Sequence, residues 1–99
     1  MITQHRTATL TAGNLARAMT WAHEIAACIK QSVGTSVAVE MPVGGDTWQI
    51  RWTLQYDSLA AYEASANALR ADPKYMALLA SGSDLFLPGA TTDQFWRTV

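Results

Sequence analysis

The chain has 99 residues, 49% of them apolar and only 15% charged, with a net charge of −1. That length allows one domain, 1–99, with one core. The scattered Lys and Arg residues form no stripe that could neutralise phosphates, which excludes nucleic acid as a ligand class, and a lone cysteine, Cys28, excludes an internal disulfide or a cysteine-built metal site.

The charged fraction, 15%, falls well below the ~25% of an average soluble domain. Either the surface is unusually apolar or a partner covers part of it, and the expected partner is a second copy of the chain. No stretch is long and apolar enough to span a bilayer. Met1–Arg6 lacks a charged lead followed by an apolar run, so neither a signal peptide nor a membrane partner is expected. A single unpaired cysteine fits the cytoplasm.

Residues 2–10 (ITQHRTATL) carry β-branched residues without a breaker and predict a strand. Thr11-Ala12-Gly13-Asn14 then offers capping chemistry for a helix to about Ser32. Leu15, Ala18, Met19, Ala22, Ile25, Ala26, Ile29 and Val33 fall on one arc of it, and Gly34 ends it. Residues 35–43 alternate, with Val37, Val39, Met41 and Val43 opposing Ser36, Ala38 and Glu40. Gly44-Gly45-Asp46 predicts a hairpin turn into 48–56 (WQIRWTLQY), where Trp48, Ile50, Trp52, Leu54 and Tyr56 alternate with Gln49, Arg51, Thr53 and Gln55. Pro42 assigns the preceding strand to a sheet edge. Asp57-Ser58 caps a second helix with Leu59, Tyr62, Ala66 and Leu69 as its stripe. Asp72-Pro73 starts a further short helix to about Ala80, and 92–99 closes the chain as a strand.

The order βαββαβ implies a four-stranded antiparallel sheet with the helices on one face, the first and third strands central and the second at an edge. Trp48 and Trp52 belong under the helices. The uncovered face then carries Gln49, Arg51, Thr53 and Gln55, with Ser36, Ala38 and Glu40 beside them. The outer strands leave the placement of His5 and Trp96 open.

The element order, the hairpin, the run Ala71-Asp72-Pro73-Lys74-Tyr75-Met76-Ala77-Leu78-Leu79, Leu85-Phe86-Leu87-Pro88-Gly89 and the terminal Trp96-Arg97-Thr98-Val99 resemble the dimeric α+β barrel superfamily. The flavour is that of NIPSNAP-like and antibiotic-biosynthesis-monooxygenase-like proteins. The resemblance spans nearly the whole chain, and its motifs are structural. It implies a ferredoxin-like protomer pairing sheet to sheet, with a ligand pocket between sheet and helices or within the barrel. Fold alone does not settle activity in such a group. Haem-degrading relatives use an Asn, a Trp and a helical His. The second helical region, 57–80, has no histidine, and His23 lies on the first helix, so haem is not expected and no cofactor is implied.

His5 and His23, the only histidines, show no metal-ligand spacing, and no metal site is expected. Cys28 falls on the outer part of its helix, away from any histidine. Trp21, on a helix flank, marks a subunit contact. Arg51, a charge in mid-strand, needs a carboxylate, and Glu40 on the hairpin partner is placed to supply it. Arg51, Gln49, Trp96 and Tyr56 are the candidate ligand-binding residues, and Arg51, His5 and Glu40 the candidate catalytic ones. The first functional reading is a homodimer that binds a small apolar organic molecule, with cofactor-independent oxygenase or isomerase chemistry as its enzymatic form. There Arg51 polarises a carbonyl and His5 or Glu40 serves as base. The alternative is a non-catalytic module whose sheet face is only a pairing surface.

Overall fold

The computed structural model describes residues 1–99. Its elements are β1 (Ile2–Thr9), α1 (Leu15–Val33), β2 (Val37–Glu40), β3 (Gln49–Tyr56), α2 (Leu59–Arg70), α3 (Pro73–Ser81) and β4 (Thr92–Arg97). The strands form one antiparallel sheet in the order β2-β3-β1-β4, with β3 and β1 central as the crossovers require. This is a ferredoxin-like α+β fold. No helix is long and apolar enough to cross a membrane.

The two-residue period of β3 sets the sheet's sidedness. Ile50, Trp52, Leu54 and Tyr56 are all buried under the helices, with Ile50 fully sealed. In β1 the same phase belongs to Ile2, Gln4, Ala8 and Leu10. From α1, Ala18, Ala22, Ile25 and Ile29 complete the layer, and the alanines let the helix lie close to the tryptophan-bearing strand. Burying a side chain such as Ile50 is worth about 1.5–3 kcal/mol, and the cluster is built mainly of such residues.

The ends of the elements have local causes. Gly34 closes α1 in a left-handed conformation, φ 77°, with its N–H donating to the Lys30 carbonyl. Ser58 caps α2 by accepting from the Ala61 N–H, and Asp72 caps α3 by accepting from the Lys74 N–H, with Pro73 in the first turn. Asn14 stands at the start of α1 without a side-chain cap bond. It donates instead to Thr11 Oγ1 and accepts from Arg17.

Several expectations are corrected. The β2–β3 connection is not a tight Gly-Gly hairpin. β2 stops at Glu40, β3 starts at Gln49, and residues 41–48 form an irregular loop in which only Gly45 has positive φ. Pro42 lacks the N–H that a longer ladder would use. Trp48, in that loop, is 53% exposed rather than core, because it stands before the first residue of the strand and beyond its helical cover. Leu15 and Leu59, in the first turns of α1 and α2, are also exposed. Trp21 is an internal packing residue: its Nε1 donates to the Leu78 carbonyl at 2.8 Å and its ring meets Trp52 and Phe86 at 6.0 and 5.4 Å. Cys28 is half-buried and packs against the core.

Candidate functional site

The register places functional side chains on both faces of the sheet. On the uncovered face they fall into cross-strand rows: Glu40, Arg51, Thr7 and Thr92; then Ala38, Thr53, His5 and Gln94; then Gln55, Thr3 and Trp96. This settles the two open placements, since His5 and Trp96 share the face of Arg51.

Within the first two rows, hydrogen bonds run across three strands. Arg51 Nε donates to Glu40 Oε1 at 3.0 Å, Thr53 Oγ1 donates to the same oxygen, and His5 Nδ1 lies 3.0 Å from Thr53 Oγ1. The Thr53 hydroxyl, offset in part by desolvation and aided by Arg51, holds the Glu40 carboxyl below its ordinary range. The three candidate catalytic residues are thus in one network, with Thr53, expected on this face but not among the candidates, as the joint. Beside it the 41–48 loop overhangs a hollow of about 390 Å³ lined by Thr7, Glu40, Met41, Gln49 and Arg51. Trp96 stands apart on the edge strand, 61% exposed. His23 is exposed on α1 and meets none of these groups. No cluster of His, Cys, Asp and Glu could hold a metal ion.

Tyr56 does not join Arg51. Being in phase with Trp52, it points under the helices, where its hydroxyl donates to Gln4 Oε1 at 3.4 Å. There it helps to line a largely apolar cavity of about 340 Å³ between sheet and helices, with Arg6, Trp52, Tyr62, Leu69 and Tyr75. Tyr62 stacks edge-on against Tyr56 and, on the β4 side, Phe95, at 5.4 and 4.8 Å.

Two arginines, Arg6 and Arg70, line this cavity, and Arg6 is the one held in an ion pair. Its Nε and Nη2 donate to Asp93 Oδ1 and Oδ2, both at 2.8 Å, and Gln4 Nε2 approaches Oδ1 at 3.5 Å. The bidentate bond raises the Arg6 pKa further and holds Asp93 below its ordinary value, against a smaller opposing effect of burial. Burial pushes the Tyr56 hydroxyl up to about 12 and Tyr75 upward too, so both are neutral donors. The wall therefore offers one held guanidinium, with Nη1 not engaged by Asp93, and neutral phenols around an apolar interior. Such a set suits a carbonyl-bearing organic molecule. Sequence reasoning missed Arg6 and Asp93. The available signal was phase: Arg6 shares the phase of Gln4 and Ala8, so it faces the core and needs an anion.

A broader, open groove of about 710 Å³ runs along the β2 edge, from Gly34 to Ala38, toward Asp57 and Ser65. Small and polar residues dominate its lining.

A NIPSNAP family model matches residues 3–93. Among solved structures, a NIPSNAP domain protein from Burkholderia xenovorans superposes with a TM-score of 0.86 at 19% identity, covering 100% of this chain and 95% of that one. A NIPSNAP family protein of unknown function from Agrobacterium tumefaciens gives 0.81 at 21% identity, covering 97% and 86%. A candidate antibiotic biosynthesis monooxygenase from Deinococcus radiodurans gives 0.74 at 17% identity, covering 100% and 93%. At these identities the structural likeness establishes the fold. No curated protein sequence matches.

Proposed function

The chain belongs to the NIPSNAP family, and from that premise we propose that it binds a small, largely apolar organic molecule between its sheet and helices, as one half of a homodimer. The observation that carries this reading is the cavity of about 340 Å³, apolar throughout except for a few polar groups that include Arg6, Tyr56 and Tyr75. Binding sites for small organic molecules have this make-up: apolar area supplies affinity, and a few fixed donors supply orientation.

The chemistry such a site supports is polarisation of a carbonyl, or stabilisation of the enolate formed from it, by Arg6 and the neutral tyrosines. Cofactor-independent oxygenation or isomerisation of an enolisable substrate is the enzymatic form of this reading. The likeness to a candidate antibiotic biosynthesis monooxygenase agrees with it.

The uncovered sheet face supports the homodimer. It presents the Arg51–Glu40–Thr53–His5 network and an exposed Trp96, and no helix of the chain lies over it. In the pair, Arg51, Glu40, Gln49 and His5 face the space between the two sheets. The competing reading, a pairing module without ligand, keeps the same dimer and leaves both cavities idle.

Ligand screening by thermal shift separates them. Ala66 lines the inner cavity, so Ala66→Phe fills it while leaving the uncovered face unchanged. A ligand present at a hundred times its dissociation constant stabilises the native protein by about 2.7 kcal/mol. The expected result is a rise in Tm with apolar carbonyl compounds that is absent from Ala66→Phe. Arg51→Leu, by contrast, keeps inner-cavity binding and alters dimerisation. A screen blank for both the unmodified protein and Arg51→Leu defeats the binding reading and leaves the pairing module.

A further inference from the structure

The second site is on the other side of the sheet, and it follows from counting protons. The Thr53 hydroxyl has one hydrogen and sits between two partners, Glu40 Oε1 and His5 Nδ1. Ionised, Glu40 has no proton to donate and can only accept, and its neighbours favour that form: Thr53 donates to it and Arg51 Nε donates to the same oxygen at 3.0 Å. The threonine proton therefore goes to Glu40. What faces His5 is a Thr53 lone pair, and at 3.0 Å the imidazole must supply the hydrogen.

We propose that His5 keeps its neutral-state proton on Nδ1, so that Nε2 stands bare on the uncovered sheet face as a proton-accepting site for a neutral carbon or oxygen acid, with Thr53 and Glu40 as its positioning residues. The arrangement is the familiar one in which a carboxylate fixes the tautomer and aim of an imidazole, with a hydroxyl interposed. The surroundings suit a base. From β2 the charged group facing this network is Glu40, and from β3 it is Arg51. From β4 the residue opposite His5 is the uncharged Gln94. Arg6 and Asp93 lie across the sheet, in phase with the buried residues. Arg51 is a diagonal neighbour of His5 on the adjacent strand, at a typical side-chain separation of ~7 Å. A cation at that range stabilises the anion left after the proton moves. This site is separate from the inner cavity and does not rest on a ligand binding there.

Two measurements on the full chain test it. Long-range proton–nitrogen NMR reads the tautomer directly: in the neutral ring, His5 Nε2 is expected to resonate as a bare nitrogen and Nδ1 as a protonated one. In Thr53→Val the pattern reverts toward the Nε2–H form, a change that lost packing alone would not produce. The second probe is a nitrobenzisoxazole. A base takes its ring C–H proton while the ring N–O bond breaks, and the electron pair leaves on oxygen as a coloured phenolate carrying a nitrile. The protein is expected to accelerate this severalfold over free imidazole at equal concentration. His5→Gln abolishes the acceleration, and Thr53→Val reduces it. A bare Nδ1 in the unmodified protein overturns the proposal, and so do equal rates for the unmodified protein and His5→Gln.

Discussion

Arg6 and Asp93 face one another across the β1–β4 ladder and are joined by two parallel hydrogen bonds of 2.8 Å, although 87 positions separate them in the sequence. The pair ties the edge strand to the central one and anchors the ion-paired arginine of the inner cavity. Its contribution to stability depends on pH in a definite sense. The Asp93 pKa is lower in the folded chain than its ordinary 3.8, so its stabilisation is complete above that value and is lost as pH falls through the folded pKa. Arg6 stays charged throughout. Because the pair is only partly buried, Asp93→Asn is expected to cost about 1 kcal/mol at neutral pH, or a Tm lower by about 4–8 °C for a domain of this size. Urea unfolding of both proteins across the acid range checks this. The curves should converge below the carboxylate range, and a constant gap would show that Asp93 acts through packing instead.

How much of this the sequence revealed depends on which residues share a phase. In β3 all eight residues alternate without a lapse, so the sides of Ile50, Trp52, Arg51 and Thr53 were readable, and the β2 pairing placed Glu40 opposite Arg51. β1 is less regular, because Gln4 and Arg6 occupy core-facing positions between Ile2 and Ala8. Polar residues there hide the period until their partners are known, and Asp93 lies at the far end of the chain. Tyr56 was grouped with Arg51 for its chemistry although its phase placed it with Trp52. Trp48 was assigned to the core by extending the strand one residue beyond Gln49, and the glycine pair suggested a tight turn where the chain makes a longer loop.

Tyr56 makes a prediction at the alkaline end. Its hydroxyl is buried against Gln4, and its pKa is raised from 10.0 to about 12. A folded pKa above the unfolded one means stability that is fully present below pH 10 and is lost as pH rises toward 12. Tyr56→Phe removes that dependence along with one long hydrogen bond, which is worth about 1 kcal/mol or less. Denaturant unfolding between neutral pH and the tyrosine range should show the unmodified protein losing its advantage over Tyr56→Phe as pH rises. A parallel decline in the two proteins would place the Tyr56 hydroxyl in contact with water.

Gly82 is buried for a steric reason. A Cβ there would overlap the indole of Trp21, whose Nε1 is tied to the Leu78 carbonyl at 2.8 Å and whose ring is wedged against Trp52 and Phe86. Its φ is negative, −97°, so the backbone itself tolerates alanine and the cost is one of space. Gly82→Ala should destabilise by about 1–3 kcal/mol, the usual penalty of overpacking. Trp21→Phe, which gives up the hydrogen bond and part of the ring, should relieve that penalty in the double variant. Additive losses in the double-mutant cycle would show that the two positions do not share the space.

Trp96 tests the pairing surface. It lies on β4 opposite Thr3, on the face that no helix covers, 61% exposed, and its nearest polar contact is Gln94 in its own strand. Within one protomer the side chain supports little, so Trp96→Ala should leave Tm of the isolated fold nearly unchanged. In a sheet-to-sheet dimer the same ring is a large apolar anchor, and truncating an anchor of that kind costs about 2 kcal/mol or more of association energy, a factor of about 30 in the dimer dissociation constant. Sedimentation velocity over a range of protein concentrations separates the two effects, because a folding defect lowers Tm at every concentration whereas an interface defect moves the monomer–dimer midpoint and leaves the monomer's Tm unchanged. If the unmodified chain sediments as a monomer at micromolar concentration, the uncovered face is a solvated surface and the Arg51–Glu40 pair an ordinary surface ion pair, worth under about 1 kcal/mol.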